Sequence, residues 1–368
     1  MHKHKEKLSF FERYLTLWVF LCMGIGIMAG RIFPQIGTFI LRFTVADVWI
    51  PIAIALFFMI YPIMLRIDFG AVIRAGKTPK PIAVTLFVNW AIKPFFMALV
   101  AWFFLGVIFK PFIPSGDIDQ YIAGIILLGV APCTAMVLMW GHLARGNQGH
   151  NLVMVAINSL TMLVLYAPLA AFLLGISGIA IPWDTLALTI AIYIASPLLA
   201  GYITRKEVIK RKGIDWFENS LLPAMGNLSI IALLFTLILL FSLEGETILK
   251  MPLVIAMIAV PLLVEFFFIF TIGYGLSWFF HLSYEDAAPT ALIGASNHFE
   301  VSIATAIMLF GVGSGAALAT VVGPLIEVPI MLILVSVCKR TCNLFKHCQL
   351  DLPHCKPHYV SAETEGNL

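Results

Sequence analysis

Ten stretches of this chain are apolar for long enough to cross a bilayer, and that limits its fold more than any other feature. A hydrocarbon core needs roughly 20 apolar residues per helix. Runs of that kind lie at 15–33, 48–65, 81–109, 121–142, 151–175, 186–204, 222–243, 251–280, 286–311 and 315–338. Only 12% of the residues are charged, against roughly 25% in a soluble domain, so a soluble fold of 368 residues would lack a solvated shell. Disorder is excluded too, because 29 Phe and 8 Trp supply more apolar surface than an unfolded chain tolerates. Inside lipid the backbone must satisfy its own hydrogen bonds, and helices do so. The reading is an all-α polytopic membrane protein with ten transmembrane helices.

Lys and Arg set the orientation, since cytoplasmic loops carry an excess of them. With the N-terminus inside, the inner segments hold Lys3, Lys5, Lys7 and Arg13, then Arg66, Arg74, Lys77 and Lys80. They add Arg145, then Arg205, Lys206, Lys210, Arg211 and Lys212, and finally Lys339, Arg340, Lys346 and Lys356. That is 18 inside, against 4 outside (Arg31, Arg42, Lys110 and Lys250), with Lys93 within a span. Both termini inside requires an even number of helices, and ten fits. The N-terminal lysines have no cleavage site after them, so the first run is read as an uncleaved span. The expected location is the plasma membrane. A net charge of +3 gives no ground for nucleic-acid binding, and six Cys in this length make no disulfide scaffold.

A shift of 165 residues lays Leu127 on Leu292, Gly129 on Gly294, Gly146 on Gly311 and Leu160 on Leu325. Each half has a fourth span broken near its middle, followed closely by a fifth. Five spans per half place the second half upside down, the inverted repeat of secondary transporters, whose sites form where broken helices meet. The expected organisation is a cytoplasmic N-terminal segment (1–14), a first five-helix repeat (15–175), an outer connecting loop (176–185), a second five-helix repeat (186–338) and a cytoplasmic Cys/His-containing tail (339–368).

The first break is Ala131-Pro132-Cys133-Thr134. Pro132 removes a backbone donor and suits the first turn of a new half-helix. Cys133 would then lie beside freed N–H groups at the positive end of a dipole, which stabilises a thiolate. Its bland alternative is a small buried hydrophobe. The second break is Gly294-Ala295-Ser296-Asn297-His298-Phe299-Glu300. Asn297 is a candidate cap for the half-helix that follows. Glu300, near mid-membrane, is a functional candidate by default, since a carboxylate there is costly unless protonated, paired or wet. His298 is a second proton carrier or a donor to a carbonyl.

Lys93, Glu265 and Glu327 are also ionisable groups inside spans. Structural pairing explains Lys93 with Glu265 or Glu327, while Glu327, after Gly323-Pro324, is also placed to approach a central cavity. Asn89 and Asn158 are accounted for by hydrogen bonds between helices. The tail holds Cys338, Cys342, Cys348 and Cys355 with His347, His354 and His358. Soft ligands of that kind suit zinc, copper or a thiophilic metalloid, though the spacing matches no standard zinc site. Cys338 and Cys342, beside the membrane, are equally candidates for lipidation. No cofactor is expected.

The stretch from Gly129 to Val137 closely resembles the fourth span of the arsenite-efflux permeases, the arsenical-resistance branch of the bile acid/arsenite/riboflavin transporter superfamily. Gly294 to Ala304 resembles their ninth span, and Ser314 to Gly323 with Leu325-Ile326-Glu327-Val328-Pro329 their tenth. The likeness runs from the first span to about residue 338. It implies two inverted five-helix repeats with broken, crossing fourth and ninth helices. It also implies export of trivalent arsenic, often driven by the proton gradient, with the family's essential cysteine at Cys133 and its essential glutamate at Glu300. Pro132, Thr134, Asn297, His298, Glu327 and Asn158 would support the site or carry protons. Two positions depart from the pattern: His298 stands where an aromatic is expected, and Pro324 where an aliphatic is usual.

The chemistry agrees with that resemblance. Arsenite is mostly a neutral trihydroxide at neutral pH and needs no charge clamp, and trivalent arsenic prefers sulfur, as soft metals do. A single thiolate would release it, where a three-sulfur cage would not. The expected partners are arsenite, protons and the lipid bilayer; whether antimonite is also carried is left open by the sequence. The main alternative is a sodium-coupled organic-anion symporter on the same scaffold, in which Cys133 would have no task. An intramembrane enzyme ranks lower, because no His-Glu-x-x-His pattern is present. A metalloid sensor acting through the tail is the remaining alternative.

Overall fold

A computed structural model describes residues 15–33, 43–45, 48–67, 70, 79–114, 116–134, 136–179 and 182–345. The N-terminal segment 1–14 and, in the tail, Cys348 and Cys355 lie outside the described residues.

Twelve helices account for nearly all of the described chain. They are α1 (Leu15–Ile32), α2 (Ile50–Arg66), α3 (Pro79–Ile108), α4 (Ile118–Val130), α5 (Val137–Leu143) and α6 (Gln148–Ile176). Then follow α7 (Trp183–Lys212), α8 (Leu222–Lys250), α9 (Pro252–Phe279), α10 (Tyr284–Ala295), α11 (Phe299–Phe310) and α12 (Gly315–Arg340). The exception to an all-α fold is a ribbon of two short antiparallel strands, β1 (Thr44–Val45) and β2 (Val48–Trp49), in front of α2.

Six stretches are long and apolar enough to cross a membrane, at Pro79–Ile108, Gln148–Ile176, Trp183–Lys212, Ile214–Gly245, Pro252–Phe279 and Gly315–Arg340. Leu17–Ile32, Ile50–Arg66, Ile118–Val130 and Phe299–Phe310 are apolar but shorter. Two of these, α4 and α11, are short because a break divides the apolar run from which each comes. Large apolar side chains such as Phe20, Phe103, Phe172, Trp183, Phe267 and Trp278 point outward, as a surface against lipid requires.

Prolines shape the long helices. The turns over Val88–Ile92, Ala191–Ala195 and Phe217–Leu221 are each widened, and Pro94, Pro197 and Pro223 follow them closely. A proline ring collides with the carbonyl four residues earlier and offers no N–H to it, so the preceding turn opens. One widened turn carries Asn89 and leads directly into Lys93.

The helices pack in two groups, and each group mixes the two halves of the chain. In one, α8 lies against α1 and α2, and α7 against α2. In the other, α3, α4, α6 and α9 to α12 pack around the two broken runs. Small residues let backbones approach in both groups, a packing mode that replaces the hydrophobic drive absent between helices in lipid. A side chain at Gly30 would run into the Ser242 carbonyl of α8, and one at Gly124 into the Ala316 carbonyl of α12.

The tail begins later than its sequence suggests. Beyond the end of α12, Thr341 meets Tyr274 Oη at 3.0 Å, and the Phe345 ring lies 4.9 Å from that of Tyr274 and 6.2 Å from that of Tyr284. Residues 341–345 are therefore part of the helical body. Cys338 is buried, and Cys342 is disulfide-bonded.

Candidate functional site

The two broken helices meet at their breaks. α4 ends at Val130, and Ala131 turns extended (φ −98°, ψ 102°). α10 ends at Ala295, and Ser296 is extended too (φ −77°, ψ 147°). The extended stretches pair antiparallel, Pro132 opposite Asn297, and the His298 N–H donates to the Ala131 carbonyl at 2.8 Å. Each chain thus satisfies backbone groups that the other's break sets free, which non-helical backbone at such depth requires. Ser302, one turn into α11, adds a tie by donating to the Leu127 carbonyl at 3.0 Å.

Two local expectations need correction. Pro132 does not open a half-helix: the second helix of that run, α5, begins at Val137 and has only seven residues. Pro132 takes part in the bridge to Asn297 instead. Cys133 therefore lies ahead of α5, although the Val137 N–H bears on its sulfur. Asn297 is likewise no cap. His298 occupies the capping position of α11 without a side-chain cap bond, and Asn297 Nδ2 donates to Glu265 Oε2 at 3.4 Å.

Around the paired breaks the structure collects nearly all the polar groups the sequence singles out. Cys133 and Asn297 are 2% exposed, while Thr134, Glu300 and Glu327 are 1% exposed. The carboxyl groups of Glu327 and Glu300 and the Lys93 ammonium lie within electrostatic reach of the Cys133 sulfur, with the Ser296 side chain beside it. Ser296 Oγ in turn donates to Glu327 Oε1 in a short hydrogen bond. His298 Nδ1 lies 2.8 Å from Glu300 Oε2, close enough for a charge pair but off the line of a hydrogen bond. Glu300 falls in the first turn of α11. There the helix dipole favours negative charge.

Lys93 reaches this centre from α3. Its Nζ donates to the Ser296 carbonyl at 2.6 Å and lies 3.9 Å from Glu265 Oε1. Asn89, one turn earlier, donates through Nδ2 to Asn158 Oδ1 at 3.2 Å, and Asn158 Nδ2 reaches the Cys133 carbonyl at 3.5 Å. Charge inside a membrane is costly unless paired, and one ammonium here faces two carboxyl groups, those of Glu265 and Glu327.

Several polar atoms remain unused. Among the described residues, Thr134 Oγ1, Glu300 Oε1, Glu327 Oε2 and Glu265 Oε1 have no hydrogen-bond partner. Buried polar atoms are nearly always satisfied, so a cluster of unused ones around the paired breaks makes this the candidate site. No group of three or more His, Cys, Asp or Glu suited to a metal occurs among the described residues. Chemically the centre offers one soft sulfur with the carboxyl groups of Glu300 and Glu327 in its electrostatic reach. Sequence reasoning missed Ser296 and Ser302: a serine in a break reads as a small flexible residue, and no spacing rule shows that it will join the opposite helix.

Comparison with known proteins adds a family to this geometry. Residues 53–251 match the sodium bile acid symporter family. A protein of Synechocystis named uncharacterized transporter slr0944 is 55% identical over 92% of this chain and 91% of its own. The arsenical-resistance protein Acr3 of Alkaliphilus metalliredigens is 47% identical over 93% and 96%, respectively. Acr3 of Corynebacterium glutamicum is 32% identical over 89% of each chain. The matched family is one of symporters and the Synechocystis relative is named a transporter, so the chain is a transporter and not an enzyme.

Proposed function

Because the chain belongs to the sodium bile acid symporter family, and within it to the arsenical-resistance proteins, we propose that it exports trivalent arsenic from the cytoplasm in exchange for protons. The observation that carries this reading is the position of Cys133, a thiol at the junction of two broken helices with Glu300 and Glu327 acting on its sulfur. Six spanning stretches, two shorter apolar helices and two broken runs sum to ten crossings. Two inverted five-helix repeats, with both termini in the cytoplasm of the plasma membrane, are consistent with that count and with the positive charge of the inner loops.

On the inner side, the sulfur of Cys133 attacks arsenic. An As–S bond forms, one As–O bond breaks, and the leaving hydroxyl takes the thiol proton and departs as water. On the outer side, water reverses the exchange: its hydroxyl returns to arsenic and its proton to sulfur. Glu300 carries the coupled proton separately, gaining it when the site faces outward and losing it when the site faces inward. The loaded carrier moves outward with Glu300 ionised, and the empty one returns with Glu300 protonated. The packing groups suggest that α1, α2, α7 and α8 move against the remainder, rather than one repeat against the other. His298 and Asn158 tie the paired breaks through the Ala131 and Cys133 carbonyls, Asn297 joins them to Glu265, and Thr134 follows the thiol with its hydroxyl unused.

The test is arsenite accumulation by sodium-free inverted vesicles under an imposed acid-inside gradient. Accumulation that disappears when the gradient is collapsed supports the reading. A requirement for sodium, with no response to pH, would favour the symporter that the family description also names.

A further inference from the structure

Lys93 has a position that arsenic chemistry does not explain. Among the described residues it is the only Lys or Arg whose side chain is buried from solvent. Its ammonium contacts the Ser296 carbonyl at 2.6 Å, and Ser296 closes the half-helix α10. Glu265 Oε1 lies 3.9 Å away, and Glu327 also acts on the ammonium. A carbonyl at the C-terminal end of a broken helix is a donor with which transporters of this build coordinate an alkali cation, and here the carboxyl groups of Glu265 and Glu327 lie beside it. Here a side chain delivers the positive charge to those donors. The widened turn over Val88–Ile92, caused by Pro94, is what precedes Lys93 on α3.

We propose that the Lys93 ammonium is a tethered cation standing where a sodium ion would otherwise be bound, so that the paired breaks are held without an alkali metal. The inference deepens the sodium-free reading above, but it does not depend on the cargo, and its readout contains no arsenite. Failure of arsenic export and failure of this assignment are therefore separate results.

The experiment measures the thermal unfolding midpoint of the purified protein in sodium chloride and in choline chloride at equal ionic strength. The wild type is expected to show the same midpoint in both. Lys93→Ala leaves space and two uncompensated carboxylates, so its midpoint falls in choline and rises in sodium by about 5 °C, saturably, as a bound ligand would raise it. Lys93→Gln, which keeps a donor for the Ser296 carbonyl, is the second variant, and a sodium-specific rise in either one supports the proposal. Adding Glu265→Gln to the responding variant is expected to abolish the rise. The proposal is overturned if neither variant distinguishes sodium from choline, or if neither folds in sodium. It is equally overturned if the wild type itself responds to sodium, or if the response survives Glu265→Gln.

Discussion

Glu300 Oε1, Glu327 Oε2 and Thr134 Oγ1 lack hydrogen-bond partners among the described residues, yet all three belong to side chains almost wholly removed from solvent. Such atoms fit a centre whose contacts change during a cycle better than one whose only task is packing. For Glu300→Gln, which keeps the shape and removes the titrating proton, pH-driven arsenite flux should fall by roughly 100-fold, the scale of a lost proton-transfer group. Equilibrium arsenite binding should change little, and parallel flux and binding assays check both. Ser296→Ala leaves Glu327 Oε1 without its donor and should lower stability by about 1–3 kcal/mol, seen as a lower unfolding midpoint. The sequence singles out Cys133, Glu300 and Lys93 as a thiol and two charges inside apolar runs, and the structure places all three at or beside the paired breaks. Ser296 was not among them, and Asn297 was misread, because an Asn two residues before Phe299 satisfies every local rule for a cap while its actual partner, Glu265, lies on another helix.

The breaks, as elements, do what neither helix could do alone. Ala131 and His298 exchange a backbone bond, and Pro132 faces Asn297, so the unwound stretches form a small ribbon at the centre. Ser302 fastens α11 to the last turn of α4, and the close approach of α4 to α12 at Gly124 sets where that ribbon sits. Gly124→Val should force the two helices apart at a cost of about 1–3 kcal/mol, the range for overpacking a tight contact. Its midpoint should drop even though no polar residue is touched, and calorimetry or dye-based unfolding would show this. The existence of both breaks could be read from Pro132 and from the run Gly294-Ala295-Ser296-Asn297. The start of α5 at Val137 could not; Pro132 instead pairs with Asn297, 165 residues away in the chain.

At the scale of the molecule, the centre is closed: Cys133 is 2% exposed, so the proposed export requires openings toward each side in turn. The division into two packing groups supplies surfaces that can part, running mainly along α7 with α6 and α11 and along α8 with α12. That division was hidden from the sequence, whose repeat suggests halves, because packing partners are chosen by face rather than by chain order. The boundary of the tail was hidden for the same reason. Phe345 reads as an isolated aromatic beyond the last span, but it packs on Tyr274 and Tyr284. Deleting residues 346–368 should leave arsenite efflux unchanged, whereas deletion after Val337 should destabilise the body by removing Cys338, Thr341 and Phe345. Loss of efflux in the shorter deletion alone would return the tail to the mechanism.

The central claim, that arsenic binds the thiol at the paired breaks, is tested most directly in a transport-competent variant retaining Cys133 as its only cysteine. The measurement is the rate at which a membrane-permeant maleimide labels that thiol during cycling, with and without arsenite. Labelling that proceeds and is slowed several-fold by arsenite, saturably, is the predicted result. Labelling indifferent to saturating arsenite, or a thiol never reached while transport continues, would contradict it.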